Sequence, residues 1–236
     1  MLPIGDENPR GSAPIVTYIL IAANVVVFLY EFMLPDVAFE GLIVKYGFVP
    51  SSLSSNISTL AVATIFTSMF LHADVTHIFG NMLFLYIFGD NIEDAIGHLP
   101  YFLFYMICGV AASFFQFITD PLSTIPAIGA SGAISGVLGA YILLYPRARV
   151  RTLVFLGLFL TFARIPALIY LGIWFLYQIL YASLPEVSGV AYWAHIGGFI
   201  TGLVIMRLYP WKRKPIPPPP PPPAYPIQEL PQPYRV

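Results

Sequence analysis

Three apolar stretches of this chain each carry a polar side chain able to do chemistry. Ser131 stands in "GASG", His195 in "AHIGG", and His77 and Asn81 in "HIFGN". A serine hydroxyl within hydrogen-bond reach of a neutral imidazole is an activated nucleophile, with the histidine as general base and then general acid. An asparagine amide and a second ring N–H, added to free backbone N–H groups at a helix start, can hold the oxyanion of a tetrahedral intermediate. His77 and Asn81 are four residues apart, so they share one helix face. Together these are the parts of an acyl-transfer site.

The elements that must position them are membrane spans. The chain of 236 residues is 58% hydrophobic and only 10% charged, and its mean hydropathy is +0.77, whereas soluble domains carry about 25% charged residues. A net charge of -1 gives no hint of a nucleic-acid partner, and one cysteine, Cys108, rules out an internal disulfide framework. Six apolar runs are expected to span: 15–34 (read as an uncleaved first span), 77–97, 100–117, 127–145, 165–184 and 190–209. Residues 35–74 are too interrupted for a span and too apolar for a solvated loop, so they are expected to form a loop partly embedded in the membrane. The expected architecture is an all-α integral membrane bundle over residues 15–209. A leader at 1–14 precedes it, and a basic, proline-rich tail at 210–236 follows.

Ten of the eleven basic residues, among them Arg10, Arg147, Arg149, Arg151, Arg164 and Lys212, fall on the side shared by both termini, and Lys45 alone falls on the other. The positive-inside rule then puts both termini in the cytoplasm, and the expected location is the plasma membrane. Ser131, His195 and Asn81 would lie roughly 6 to 8 Å below the outer ends of their helices. Polar groups at one depth in hydrocarbon should face one another or a water-filled cavity. Gly132 and Gly136, with Gly198 and Gly202, form two small-xxx-small frames that would let two helices approach closely and set Ser131 beside His195.

"HADVTHIFGNMLFLYIFGDNIED", "GASG" and "AHIGG" resemble, in order and spacing, the rhomboid family of intramembrane serine proteases across nearly all of residues 15–209. The resemblance implies a six-helix bundle and a Ser131–His195 dyad cleaving single-span transmembrane substrates near the outer membrane boundary, after a small residue. It carries the oxyanion-side roles to His77 and Asn81, a supporting role to His72, and a substrate gate to the helix bearing Trp174 and Gln178. No cofactor or metal is implied. Two departures stand out. The first loop holds no Trp-Arg pair, and Ser135 occupies the place four residues after the nucleophile where an aromatic often packs on the histidine, so His195 must be oriented by something else.

The simpler readings are that Ser131 packs in a glycine-rich helix, as Ser135 does, that Asn81 bridges helices, and that Cys108 is packing. A metal at His72, Asp74 and His77 is disfavoured because the i, i+4 histidine pair of H-E-x-x-H is missing. Asp90, Glu93 and Asp94 read as helix-end or inter-helix polar contacts. The rival functions are a non-proteolytic protein of the same fold that binds transmembrane clients, which would predict loss of Ser131 or His195, and a transporter, which would favour broken helices and internal repeats. Pro217 to Pro223 read as a polyproline II spacer, with docking to an SH3-like groove as the alternative.

Overall fold

The computed structural model describes residues 1–55, 58–156, 159–184 and 189–209. The proline-rich tail and the Lys212 to Lys214 cluster lie outside the described residues. In chain order the elements are β1 (Leu2–Asp6), α1 (Ile15–Phe32), α2 (Asp36–Tyr46), α3 (Pro50–Ser55), α4 (Thr59–Thr67), a 3-10 turn (Ser68–Phe70), α5 (Val75–Ile96), α6 (His98–Thr119), α7 (Ser131–Leu144), β2 (Arg149–Leu156), β3 (Phe159–Pro166), α8 (Ala167–Ala182) and α9 (Tyr192–Leu208). The chain is mostly helical. Among the described residues α1 and α6 are each long and apolar enough to cross a bilayer, and residues 59–70 pass with α5 as a pair bent by 80°.

Helix α7 is the axis of the bundle, and residues 132–141 are all buried. Glycine, alanine and serine make this possible, because small side chains let neighbouring backbones close in. A Cβ on Gly198 would lie 2.0 Å from the Gly132 carbonyl oxygen, and one on Gly202 would lie 1.9 Å from that of Gly136. On α7 itself, Cβ atoms on Gly132 and Gly136 would meet Ala112 and Cys108 of α6, whereas one on Gly139 would meet the Phe199 carbonyl of α9. One stripe on α7 thus serves two neighbours. The outer helices keep apolar faces exposed, with Ile19, Val26 and Leu29 on α1 and Leu168, Ile173 and Leu176 on α8, as surfaces meeting acyl chains do.

Two expectations are corrected and one is refined. The connection over residues 35–74 is built largely of short helices, α2, α3, α4 and the 3-10 turn. The Ser58 hydroxyl accepts from the Ala61 N–H to cap α4, so serines that read as interruptions are helix starts. The span expected from Ala127 begins only at Ser131. Ahead of it Ala127 pairs with Phe48 through both backbone bonds (2.8 and 3.1 Å), and Gly129 takes φ +115°, outside the reach of a helix. An all-helical chain also left no room for the antiparallel sheet β1-β2-β3. It joins the leader to the segment between α7 and α8, and so draws together at one end two regions expected on one side of the membrane.

At that same end α5 anchors the leader. The buried Glu93 carboxylate accepts from the Val16 and Thr17 N–H groups, both at 2.8 Å, and from the Thr17 hydroxyl at 2.7 Å, which satisfies orphan donors of the first turn of α1. Arg10 pairs with Asp90 at 2.9 Å, and Asp94 accepts from Gly11 N–H and the Ser12 hydroxyl.

In β1, Asp6 accepts from the Tyr141 hydroxyl. Burial pushes Asp6 up from 3.8 to about 6, against the lowering effect of the Tyr141 hydrogen bond. The folded protein therefore holds this proton more tightly than the unfolded chain does. Stability from this group is full below pH 3.8 and is lost as the pH rises through about 6. Asp6→Asn keeps an acceptor for Tyr141 and is expected to flatten that decline in thermal midpoints measured in detergent across the window. An unchanged slope would show that Asp6 is not its source.

Candidate active site

Ser131 is the first residue of α7, reached from the positive-φ turn at Gly129. The first helical bond at this end runs from Ile134 N–H to the Ala130 carbonyl, so the N–H groups of residues 131–133 point out of the helix start without an intrahelical partner. On α9, His195 brings its Nε2 to 2.7 Å from Ser131 Oγ. Its other nitrogen, Nδ1, lies 2.8 Å from Gln178 Oε1 on α8. The Gln178 amide donates from Nε2 to the Trp174 carbonyl at 3.3 Å. With that NH2 committed, the oxygen faces the ring, so Nδ1 carries the proton and Nε2 is left to accept from serine.

Trp174 and Gln178 therefore both turn toward α9. The Trp174 ring centroid is 6.2 Å from that of His195 and 6.2 Å from that of Phe199, and Tyr192 meets the imidazole edge-on at 6.3 Å. These contacts hold His195 where Ser135 cannot. Ser135 instead bonds back to the Ser131 carbonyl at 2.6 Å, a local contact within its own helix.

His77 and Asn81 lie on α5 against the approach to Ser131. A Cβ on Gly129 would sit 2.7 Å from His77 Nε2 and 3.6 Å from Asn81 Nδ2, so a glycine is required there for space as well as for its backbone angle. The Ala73 N–H reaches His77 Nδ1 at 3.4 Å, which favours the tautomer with the donor on Nε2. Asn81 is buried and its Nδ2 has no partner. Among the described residues both donors are thus free for an acceptor. Between α6, α7 and α9 a narrow cleft lined by Ser113, Gln116, Gly132, Ala191 and Ala194 opens beside Ser131.

His72 is fully buried behind this site, its ring 5.0 Å from that of His77. Its backbone N–H is received by Glu31 on α1 (3.2 Å to Oε2). Sequence reasoning passed over Glu31, although a carboxylate inside an apolar span is itself a signal. Cys108 packs on Gly136, away from the serine.

Fold and site together define a helical membrane bundle with a hydrogen-bonded serine–histidine pair at the head of its central helix. A family model described as the Rhomboid domain matches residues 59–212, well over half of the chain. The chain belongs to the rhomboid family of integral membrane proteins. Rhomboid protease GluP of Bacillus subtilis is 30% identical over 193 residues, 82% of this chain and 34% of that protein. Rhomboid protein 1, mitochondrial, of Saccharomyces cerevisiae is 35% identical over 96 residues, 39% of this chain and 28% of that protein. RHOMBOID-like protein 12, mitochondrial, of Arabidopsis thaliana is 32% identical over 154 residues, 57% and 43% respectively. The chain spans less than half the length of each of these relatives.

Proposed function

We propose that this protein is an intramembrane serine endopeptidase of six spans that cuts single-span transmembrane substrates. The observation that carries the reading is the 2.7 Å contact between His195 Nε2 and Ser131 Oγ, with Nδ1 occupied by Gln178. In the reaction Ser131 Oγ attacks the scissile carbonyl as its proton passes to His195 Nε2. The oxyanion is received by Asn81 Nδ2, His77 Nε2 and N–H groups at the start of α7. The C–N bond breaks as Nε2–H protonates the leaving amine. Water, deprotonated by the same nitrogen, then hydrolyses the acyl-enzyme. His72 and Glu31 support the His77 side of the site. The cleft's small lining suits a small side chain before the scissile bond, and α8, the outermost of the helices carrying site residues, is the gate through which a substrate helix enters.

The basic skew supports a cytoplasmic side for the sheet and both termini, with the dyad toward the outer leaflet, and the proposed location is the plasma membrane. The test reconstitutes the protein in liposomes with a panel of single-span substrates and maps products by mass spectrometry. One cut near the dyad-side boundary is expected. An intact panel, with the protein shown to be folded, would favour the client-binding reading instead.

Gln178 is a positioning residue in this scheme, since it fixes the histidine tautomer without supplying charge. Gln178→Leu is expected to lower kcat roughly 10- to 100-fold with little change in KM, and to slow fluorophosphonate labelling of Ser131 in parallel. Gln178→Glu, which keeps an acceptor at the same reach, should restore much of both. A leucine variant that labels at the wild-type rate would remove Gln178 from the scheme.

A further inference from the structure

The β2-β3 hairpin ends in an apolar tip that no part of the described protein covers. Pairing sets Leu153 opposite Phe162 and Phe155 opposite Leu160, and directly opposed residues share a face. Phe155, Leu160 and Phe162 are exposed on one face and Phe159 on the other. Strand β1 supports only the base, its last pair toward the tip being Leu2 with Leu153. Val150 and Thr152 at that base are fully buried, so the near half of the hairpin is seated on the bundle while the far half overhangs it.

Charge is distributed along the same hairpin. Arg149, Arg151 and Arg164 stand at the base, all exposed, with Arg147 just before them. Arg151 and Arg164 are direct cross-strand neighbours. Only Arg164 among these has an ion-pair partner among the described residues, Glu7 at 3.1 Å. Two like charges stand face to face, and with Glu7 on Arg164 and the Asp6 carboxylate acting on Arg151, four arginines against two carboxylates leave a net positive band that calls for anions. The apolar residues begin two positions further along, so that the tip lies about 7 to 13 Å beyond the arginines at the usual strand rise.

We propose that this hairpin is a lipid anchor. Its arginine band binds anionic headgroups of the leaflet opposite the dyad, and its aromatic tip enters the acyl-chain boundary of that leaflet. Two observations favour lipid over a protein partner. The base runs straight from β3 into α8 and is separated from α7 only by the turn at 145–148, which Ala167 N–H closes by bonding the Ala148 carbonyl at 2.8 Å, and this holds the hairpin at the rim of a membrane bundle. The order of charge then hydrophobe also repeats the profile of a monolayer from phosphate to acyl chain. Peptidase activity plays no part in this inference.

The test places a nitroxide at Phe162→Cys, Cys108 being buried, in the full chain reconstituted in phosphatidylcholine with phosphatidylglycerol. Collisions with oxygen are expected to exceed those with an aqueous nickel chelate, at a depth of about 5–10 Å below the phosphates. Depth should fall when Arg149, Arg151 and Arg164 are all changed to Gln, and when phosphatidylglycerol is omitted. Free access of the chelate would overturn the proposal. Protection from both reagents would also overturn it, because it would mean a second copy or another protein covers the tip. A depth indifferent to the arginines and to lipid charge would overturn the headgroup assignment. Leu160→Cys, equally exposed on the same face, repeats the measurement should the first variant fold poorly.

Discussion

Ser131→Ala and His195→Ala are each expected to abolish cleavage of a reconstituted single-span substrate, a loss of at least about 10³-fold that takes the rate to the assay floor. The expectation follows from how little else at the site can act. A serine hydroxyl at neutral pH is a poor nucleophile until its proton has somewhere to go. Nε2 of His195 at 2.7 Å is that destination. Ser135, the other serine of α7, is spent on the Ser131 carbonyl and cannot substitute. In the proposed mechanism the two residues act as a unit, so the double variant should be no worse than either single one. Fluorophosphonate labelling gives a readout free of any choice of substrate. Wild type should label at Ser131, and both single variants should not. Cleavage or labelling that survives Ser131→Ala would remove the nucleophile from the proposal altogether.

The second large effect belongs to a residue with no chemistry of its own. Gly202→Val is expected to cost most of the folded protein and to lower activity at least roughly tenfold in what remains. Its first added carbon would lie 1.9 Å from the Gly136 carbonyl oxygen and 2.5 Å from the carbonyl carbon. Those are backbone atoms of the central helix and have no rotamer in which to retreat, so α9 must move away. Overpacking of a side-chain core costs about 1–3 kcal/mol, and a backbone clash is less forgiving. Any separation of α7 from α9 lengthens the Ser131–His195 contact directly, because each helix carries one partner. Gly172→Val on α8 is the control, since a Cβ there meets nothing within 4 Å. Thermal midpoints in detergent and cleavage rates together decide the matter: a Gly202→Val protein equal to the Gly172 control in both would show that the helices are not locked at this crossing.

Much of this arrangement was legible in the residues, and the reason is local. Ser131 and His195 each sit beside a glycine frame, so one short window announced both the polar group and the close helix contact that could use it. Glu93 could be placed at a helix end from the acidic cluster around it, although not its task of closing the start of α1. The sheet was not legible. "LPIGD" at 2–6 is too short to signal a strand, and its partner lies some 145 residues away, where an arginine-rich stretch read as a loop. Helices α2 to α4 were hidden because proline and serine mark helix starts as readily as they mark turns. Gln178 was noticed for the helix it stands on, yet its contact with His195 depends on the rotation of α8 about its own axis, which no spacing within a single helix specifies.

The clasp of Glu93 on the first turn of α1 has a consequence for the order of events during synthesis. Val16 and Thr17 are translated 77 and 76 residues before their acceptor, and at about 5–20 residues per second that interval lasts roughly 4–15 s. During it the first helix is in the bilayer with its leading amides unclaimed and its leader untethered. Only when the far end of α5 emerges can the start of α1 be fastened, so the placing of α1 is completed by a helix that is made later.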